Sequence, residues 1–292
     1  MRDQAARTES AASDRATQLA EVATDCASCS AALRAVASAS HERLEALGGL
    51  WDPWGGTPPE GASAPAAVSE APTDVSAFVA WLARTATRDL EIAADTNRTS
   101  AEEARTLSAA ALGRYASAVT IAQAYGIDLD AGLDQALLVN DRVNAASRQG
   151  VQTWSIDLFD APGISASFAP SGKDLASSQE LSSAVATWDC TASTLPQAQV
   201  SAGTLSDAYA VSGELLARAD VALRAGAADT RTPRCTLGFL DAPSLASNLL
   251  AADSAMLASN SSDVRAAGAS AALADIQQWA PRTSLPALIG TR

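Results

Sequence analysis

The chain has 292 residues, 33 acidic against 20 basic side chains and a net charge of −13, which argues against nucleic acid as a partner. Apolar residues make up 48% but aromatics only 4%, so each buried position removes little area from water and the core must come from close-packed helices. Alanine tops the helix scale, and the β-branched and aromatic runs that mark strands are scarce, so the chain reads as all-α.

The expected architecture is two helical bundles, residues 1–150 and 174–292, joined by a Pro/Gly/aromatic connector at 151–173. No stretch approaches about 18 strongly apolar residues in a row, so no membrane span is expected. The start, Met1-Arg2-Asp3-Gln4, lacks the apolar core of a signal peptide.

From Ala5 to Leu47 no proline or glycine intervenes, and Leu19, Val22, Cys26, Cys29, Leu33 and Val36 alternate at spacings of three and four. This predicts a helix with an a/d seam that ends at Gly48-Gly49. Residues 51–72, with Pro53, Pro58, Pro59, Pro65 and Pro72, form a helix-breaking linker inside the first half. Helical pattern resumes at Val75 with Phe78, Val79, Leu82, Ala86 and Leu90 on one face, and stops near Asn97.

Ser100 followed by Glu103 matches a capping box, opening a helix through Leu107, Ala111, Tyr115 and Ala118 to Gly126. A further helix is expected from Asp128 or Asp130 to Gly150, with Leu133, Leu137, Val143 and Ala146 as its stripe. The 151–173 connector carries Trp154, Ile156, Leu158, Phe159 and Phe168, too apolar to stay solvated, and is expected to pack on one or both bundles. Helices are then expected at about 174–194, 198–226, 243–259 and 263–279, with Asp241 and Pro243 opening one and Pro281 ending the last.

His41 is the only histidine, which removes every site needing two imidazoles. The paired Glu-x-x-His of di-iron bundles is absent too, because Ser38 stands three residues before it. A nucleophilic triad around His41 remains formally open; the plainer reading is a histidine serving carbonyls near a helix C-terminus. Lys173, the only lysine, lies in a Ser/Gly stretch and reads as solvated, and Asp128, Asp130 and Asp134 read as helix-start carboxylates rather than a calcium loop. No phosphate-binding glycine motif occurs.

Cys26 and Cys29 form a C-x-x-C placed by the pattern inside a helix, which leaves core packing and a local disulfide equally open. Zinc held with Cys190 and Cys235 fits less well, since the second pair lacks C-x-x-C spacing, and a catalytic dithiol is a further alternative. Cys190 and Cys235 each sit at a helix boundary of the same half and are disulfide candidates. An even cysteine count and two methionines fit an oxidising compartment. Trp51 and Trp54, directly after the helix break, either pack under the linker or form an exposed interaction patch for a sugar ring or lipid headgroup.

The run His41-Glu42-Arg43-Leu44-Glu45-Ala46-Leu47-Gly48-Gly49-Leu50-Trp51-Asp52-Pro53-Trp54 resembles a segment of actinobacterial envelope proteins, often lipoproteins, that carry a ferritin-like helical domain of unknown function. Residues 251–290, with Trp279-Ala280-Pro281-Arg282 and Leu285-Pro286-Ala287-Leu288, are similar to that domain's last two helices and closing tail. The resemblance implies a ferritin-like second bundle, export, and lipid attachment on a segment preceding this chain. With no Glu-x-x-His, it carries over no metal ligands and no cofactor.

The resulting expectation is a non-catalytic, acidic cell-envelope module with a structural or interaction role. Its partner would be a protein or another envelope component, with membrane contact only through the lipid anchor. Two rivals stand beside it: a thiol/disulfide redox or zinc protein using Cys26 and Cys29, and a small-ligand carrier using the aromatic connector.

Overall fold

The computed structural model describes residues 1–52, 54–55, 60, 68–129, 172–200, 205–232, 234–235 and 241–290. The helix expected from Asp130 to Gly150 and the aromatic connector lie outside them. Among the described residues the chain is all-helical: α1 (Arg2–Val22), α2 (Ala27–Ala46), α3 (Val75–Ala94), α4 (Ala101–Tyr125), α5 (Gly172–Ser177), α6 (Gln179–Val200), α7 (Leu205–Arg224), α8 (Ala242–Met256) and α9 (Ser262–Trp279). None of these helices is long and apolar enough to cross a membrane.

The single long helix expected over residues 5–47 is instead the hairpin α1–α2. Val22 ends α1, Thr24 and Asp25 turn the chain, and Cys26 opens α2 as its N-cap. Thr and Asp favour local turns over helix interiors, which lets the chain reverse without glycine or proline. The reversal splits the supposed seam. Leu19, Cys29, Leu33 and Val36 are buried, while Val22 is 74% exposed.

The other helix ends follow side-chain chemistry visible in the sequence. Asp74 caps α3 by accepting from the Ala77 amide, and the Ser100–Glu103 capping box opens α4. Gly126 closes α4 in the left-handed conformation, and Asp241 caps α8 by accepting from the Ser244 amide at 2.8 Å. The break expected between 194 and 198 does not occur, since α6 continues past Pro196 to Val200. Proline so near a helix end forfeits one backbone hydrogen bond without stopping the helix.

Helices pair as α1–α2, α3–α4, α6–α7 and α8–α9, with α2 against α4 and α6 against α8. One core is built from α1–α4, with Leu33, Phe78, Leu82, Leu112 and Ile121 at its centre; a second is built from α5–α9 around Leu181, Trp188, Leu215 and Leu249. α9 belongs to both. Leu273 and Ile276 face the first core, and Val264, Ala271 and Trp279 the second.

The two halves of the chain therefore share buried surface. Small residues permit close packing: within the second half a Cβ on Gly268 of α9 would stand 2.7 Å from the Asp253 carbonyl oxygen of α8, and between the halves Gly113 of α4 leaves room for the Ala287 carbonyl of the tail. The tail after α9 then runs back over the first half, burying Ile289, whose amide donates to the Ala109 carbonyl of α4 at 3.3 Å.

Candidate functional site

Charged groups lie on the apolar stripes of several helices. Glu9 of α1 follows Ala5 by four residues and precedes Ala12 by three, so it points inward with them. It accepts from Arg43 Nε of α2 at 2.9 Å and from Arg114 Nε of α4 at 2.8 Å. Arg114 also donates to Asp89 of α3 at 2.8 Å, so one buried network ties all four helices of the first half. Arg43 reaches further, to the hydroxyls of Ser40 and Ser117 and to the Ala287 carbonyl of the tail.

Burial pulls the Arg43 guanidinium below its ordinary pKa despite Glu9. For Arg114, burial acts in the same direction but is outweighed by Glu9 and Asp89, which hold it above. Both arginines remain cations, with two carboxylates to neutralise them.

A second network sits in the other half. Arg218 of α7 grips Asp275 of α9 with two hydrogen bonds of 3.0 Å, and its guanidinium carbon lies 5.4 Å from the ring centre of Trp188. Asp253 of α8 stands 4.0 Å from Arg218 and accepts from the Trp188 indole at 2.8 Å. Burial first, and then the neighbouring Asp275 carboxylate, push Asp253 well above the ordinary carboxylate range, which favours its neutral form, while Asp275 takes the arginine. Arg265 of α9 makes a third contact, donating to the Ala93 and Thr99 carbonyls at 3.0 and 3.2 Å, and so pins α9 to the turn between α3 and α4.

Two clefts reach these groups. One of about 410 Å³ lies between α2, α4 and the tail, with Arg43, Ser117 and Thr120 on its walls; the other, about 240 Å³, is lined by Glu214, Arg218, Asp275, Gln277 and Gln278. Arg43 in the first cleft, and Arg218 and Asp275 in the second, already meet partners within the chain. No three His, Cys, Asp or Glu side chains come together to hold a metal ion among the described residues.

The predicted site residues fall apart in space. Cys26 pairs with Cys29 and Cys190 with Cys235 as disulfides, each with Cα atoms 5.2 Å apart. The first lies at the start of α2, and the second ties α6 to the segment before α8. Trp51 is 60% exposed beside Leu50 at 50%, and the Trp51 and Trp54 rings lie 6.5 Å apart at 46°.

Arg7 of α1 donates to the Trp51 carbonyl, and the Trp54 amide donates to Asp52, which fixes this turn against the α1–α2 hairpin. His41 lies on the exposed face of α2 with its Nε2 3.5 Å from Glu45. Lys173 lies in α5, and Asp128 just beyond α4, whereas Asp130 and Asp134 lie outside the described residues.

Sequence reasoning missed Glu9, Arg114, Arg218, Asp253 and Asp275. A signal was present, since each interrupts a stripe: Arg114 follows Ala111 by three and precedes Ala118 by four, and Asp275 stands midway between Ala271 and Trp279. No family model, curated protein or solved structure matches the chain.

Proposed function

We propose that the chain is a non-catalytic structural or interaction module of the cell envelope, built from two bundles of which the C-terminal one is ferritin-like. The observation that carries this reading is the exposed apolar turn of Leu50 and Trp51, with Trp54 beside it, at the end of α2. Large aromatic side chains left in water beside a hydrogen-bonded turn are the usual anchors of a protein contact. The disulfides suit an oxidising, extracytoplasmic setting. The antiparallel pairs α6–α7 and α8–α9, packed through α6 and α8, support a four-helix second bundle.

The test is a photo-crosslinking residue placed at Trp51 and, as a control, at exposed Leu216 of α7, followed in cells that make the protein. A discrete envelope component crosslinked from position 51 and lost in a Trp54→Ala background is the expected result. Equal labelling from both positions removes the reading.

A further inference from the structure

The Cys26–Cys29 disulfide is placed differently from an ordinary staple. α2 begins at Cys26, whose sulfur accepts from the Cys29 amide at 3.2 Å and lies 3.4 Å from the Ser28 hydroxyl. The helix behind it is 20 residues long and has no acidic residue in its first turn. Adjacent Asp25 turns its carboxylate toward the Thr24 hydroxyl.

Exposure is asymmetric. Cys29 is 4% exposed, whereas Cys26, on the turn, is only partly buried. α3, α4 and α8 are capped by Asp74, Ser100 and Asp241, good oxygen acceptors. Sulfur is a poor acceptor, but a thiolate at that position would meet the open amides and positive end of the helix. As a staple the bond does little, because it closes a separation of three residues against 45 for Cys190–Cys235.

We propose that Cys26–Cys29 is a redox-active disulfide that accepts two electrons from a dithiol on a protein or peptide, while Cys190–Cys235 is structural. One thiolate of the dithiol attacks the Sγ of Cys26, the less buried residue of the pair; a mixed disulfide forms, the Cys26–Cys29 bond breaks, and Cys29 leaves as a thiolate that takes up a proton. The partner's second thiol loses its proton and attacks its own sulfur in the mixed disulfide, expelling Cys26 as a thiolate under the α2 amides.

The partner leaves oxidised to a disulfide, the C-x-x-C is reduced to a dithiol, and the proton not taken by Cys29 passes to solvent or Cys26. Stabilising the Cys26 thiolate favours the reduced form of the pair, which makes this chain the oxidant. The proposal stands apart from the envelope-module reading, since it needs neither the Trp51 patch nor a particular compartment.

The full-length oxidised chain is mixed with one equivalent of a reduced synthetic peptide carrying two cysteines, quenched with acid, alkylated and read by peptide mass. The expected result is oxidised peptide with label on Cys26 and Cys29, formed at least about tenfold faster than any label on Cys190 or Cys235. In Cys29→Ser, the Cys26 thiol is expected to form a mixed disulfide with oxidised glutathione even near about pH 6, where an unperturbed thiol is protonated. Circular dichroism and an intact Cys190–Cys235 bond establish that this variant is folded.

A peptide that keeps its thiols, or a Cys26–Cys29 bond reduced no faster than Cys190–Cys235, overturns the proposal. The transfer measurement uses the unmutated chain and decides the matter even if Cys29→Ser fails to fold.

Discussion

Glu9 Oε1 accepts from Arg114 Nε at 2.8 Å across the interior of helices α1–α4, and neither side chain reaches water. The same carboxylate holds Arg43 through its other oxygen, so one acid on α1 neutralises cations on two other helices. Removing it leaves two buried guanidinium groups with too little negative charge. Glu9→Ala is expected to cost about 3–5 kcal/mol, measured by urea unfolding at neutral pH. A loss below about 1 kcal/mol would show that the network relaxes to water and contributes little.

Asp253 sets a pH dependence. Its folded pKa is raised by burial and by Asp275 above the ordinary 3.8, so the folded state binds more protons than the unfolded chain over that interval. The stability linked to this group is complete below the unfolded value and is lost as pH rises toward the folded one. Asp253→Asn keeps an oxygen for the Trp188 indole and removes the titration. Its stability relative to the unmutated chain is expected to improve between about pH 5 and pH 8, with a slope of up to about 1.4 kcal/mol per pH unit. Chemical denaturation at both pH values reads the difference, and an unchanged offset would place the proton elsewhere.

The tail depends on a missing side chain. A Cβ on Gly113 of α4 would collide with the Ala287 carbonyl, the group that also accepts from Arg43. Gly113→Val is therefore expected to dislodge residues 284–290 and cost about 1–3 kcal/mol. Hydrogen exchange at the Ile289 amide, bonded to Ala109 in the native chain, should quicken in the variant. Unchanged protection there would mean that α4 shifts to make room.

Opening Cys190–Cys235 by a double serine substitution frees a separation of 45 residues in the unfolded chain. The chain-entropy estimate for a loop of that size is about 4 kcal/mol. The expected thermal transition is lower and moves the α6–α8 core ahead of the α1–α4 core. A single transition at the original temperature would show that the core around Trp188 and Leu215 holds α6 in place unaided.

Much of the helical grammar was legible residue by residue. Phe78, Val79, Leu82, Ala86 and Leu90 are buried on α3 as their spacing predicts, and Ser100, Glu103, Gly126 and Asp241 act at the helix ends where their chemistry places them. The reversal at Thr24-Asp25 was not legible, because residues 5–47 carry no strong helix breaker and their apolar spacing fits one long helix as well as two short ones. The buried charges were hidden for a related reason. A charged residue on an apolar stripe reads as a flaw until its partner is known, and Glu9 and Arg114 are 105 residues apart.

The sequence by itself determined that this protein is all-helical among its described residues and where most of those helices begin and end, since capping and periodicity act within one or two turns. Only the tertiary structure decided that α9 serves two cores, that the tail closes over Gly113, that burial beside Asp275 raises the Asp253 carboxyl, and that Cys26 starts a helix instead of lying within one. Those outcomes depend on which surfaces meet once water is excluded, and alanine-rich stripes of nearly equal size leave many pairings open until buried charges and close glycine contacts select among them.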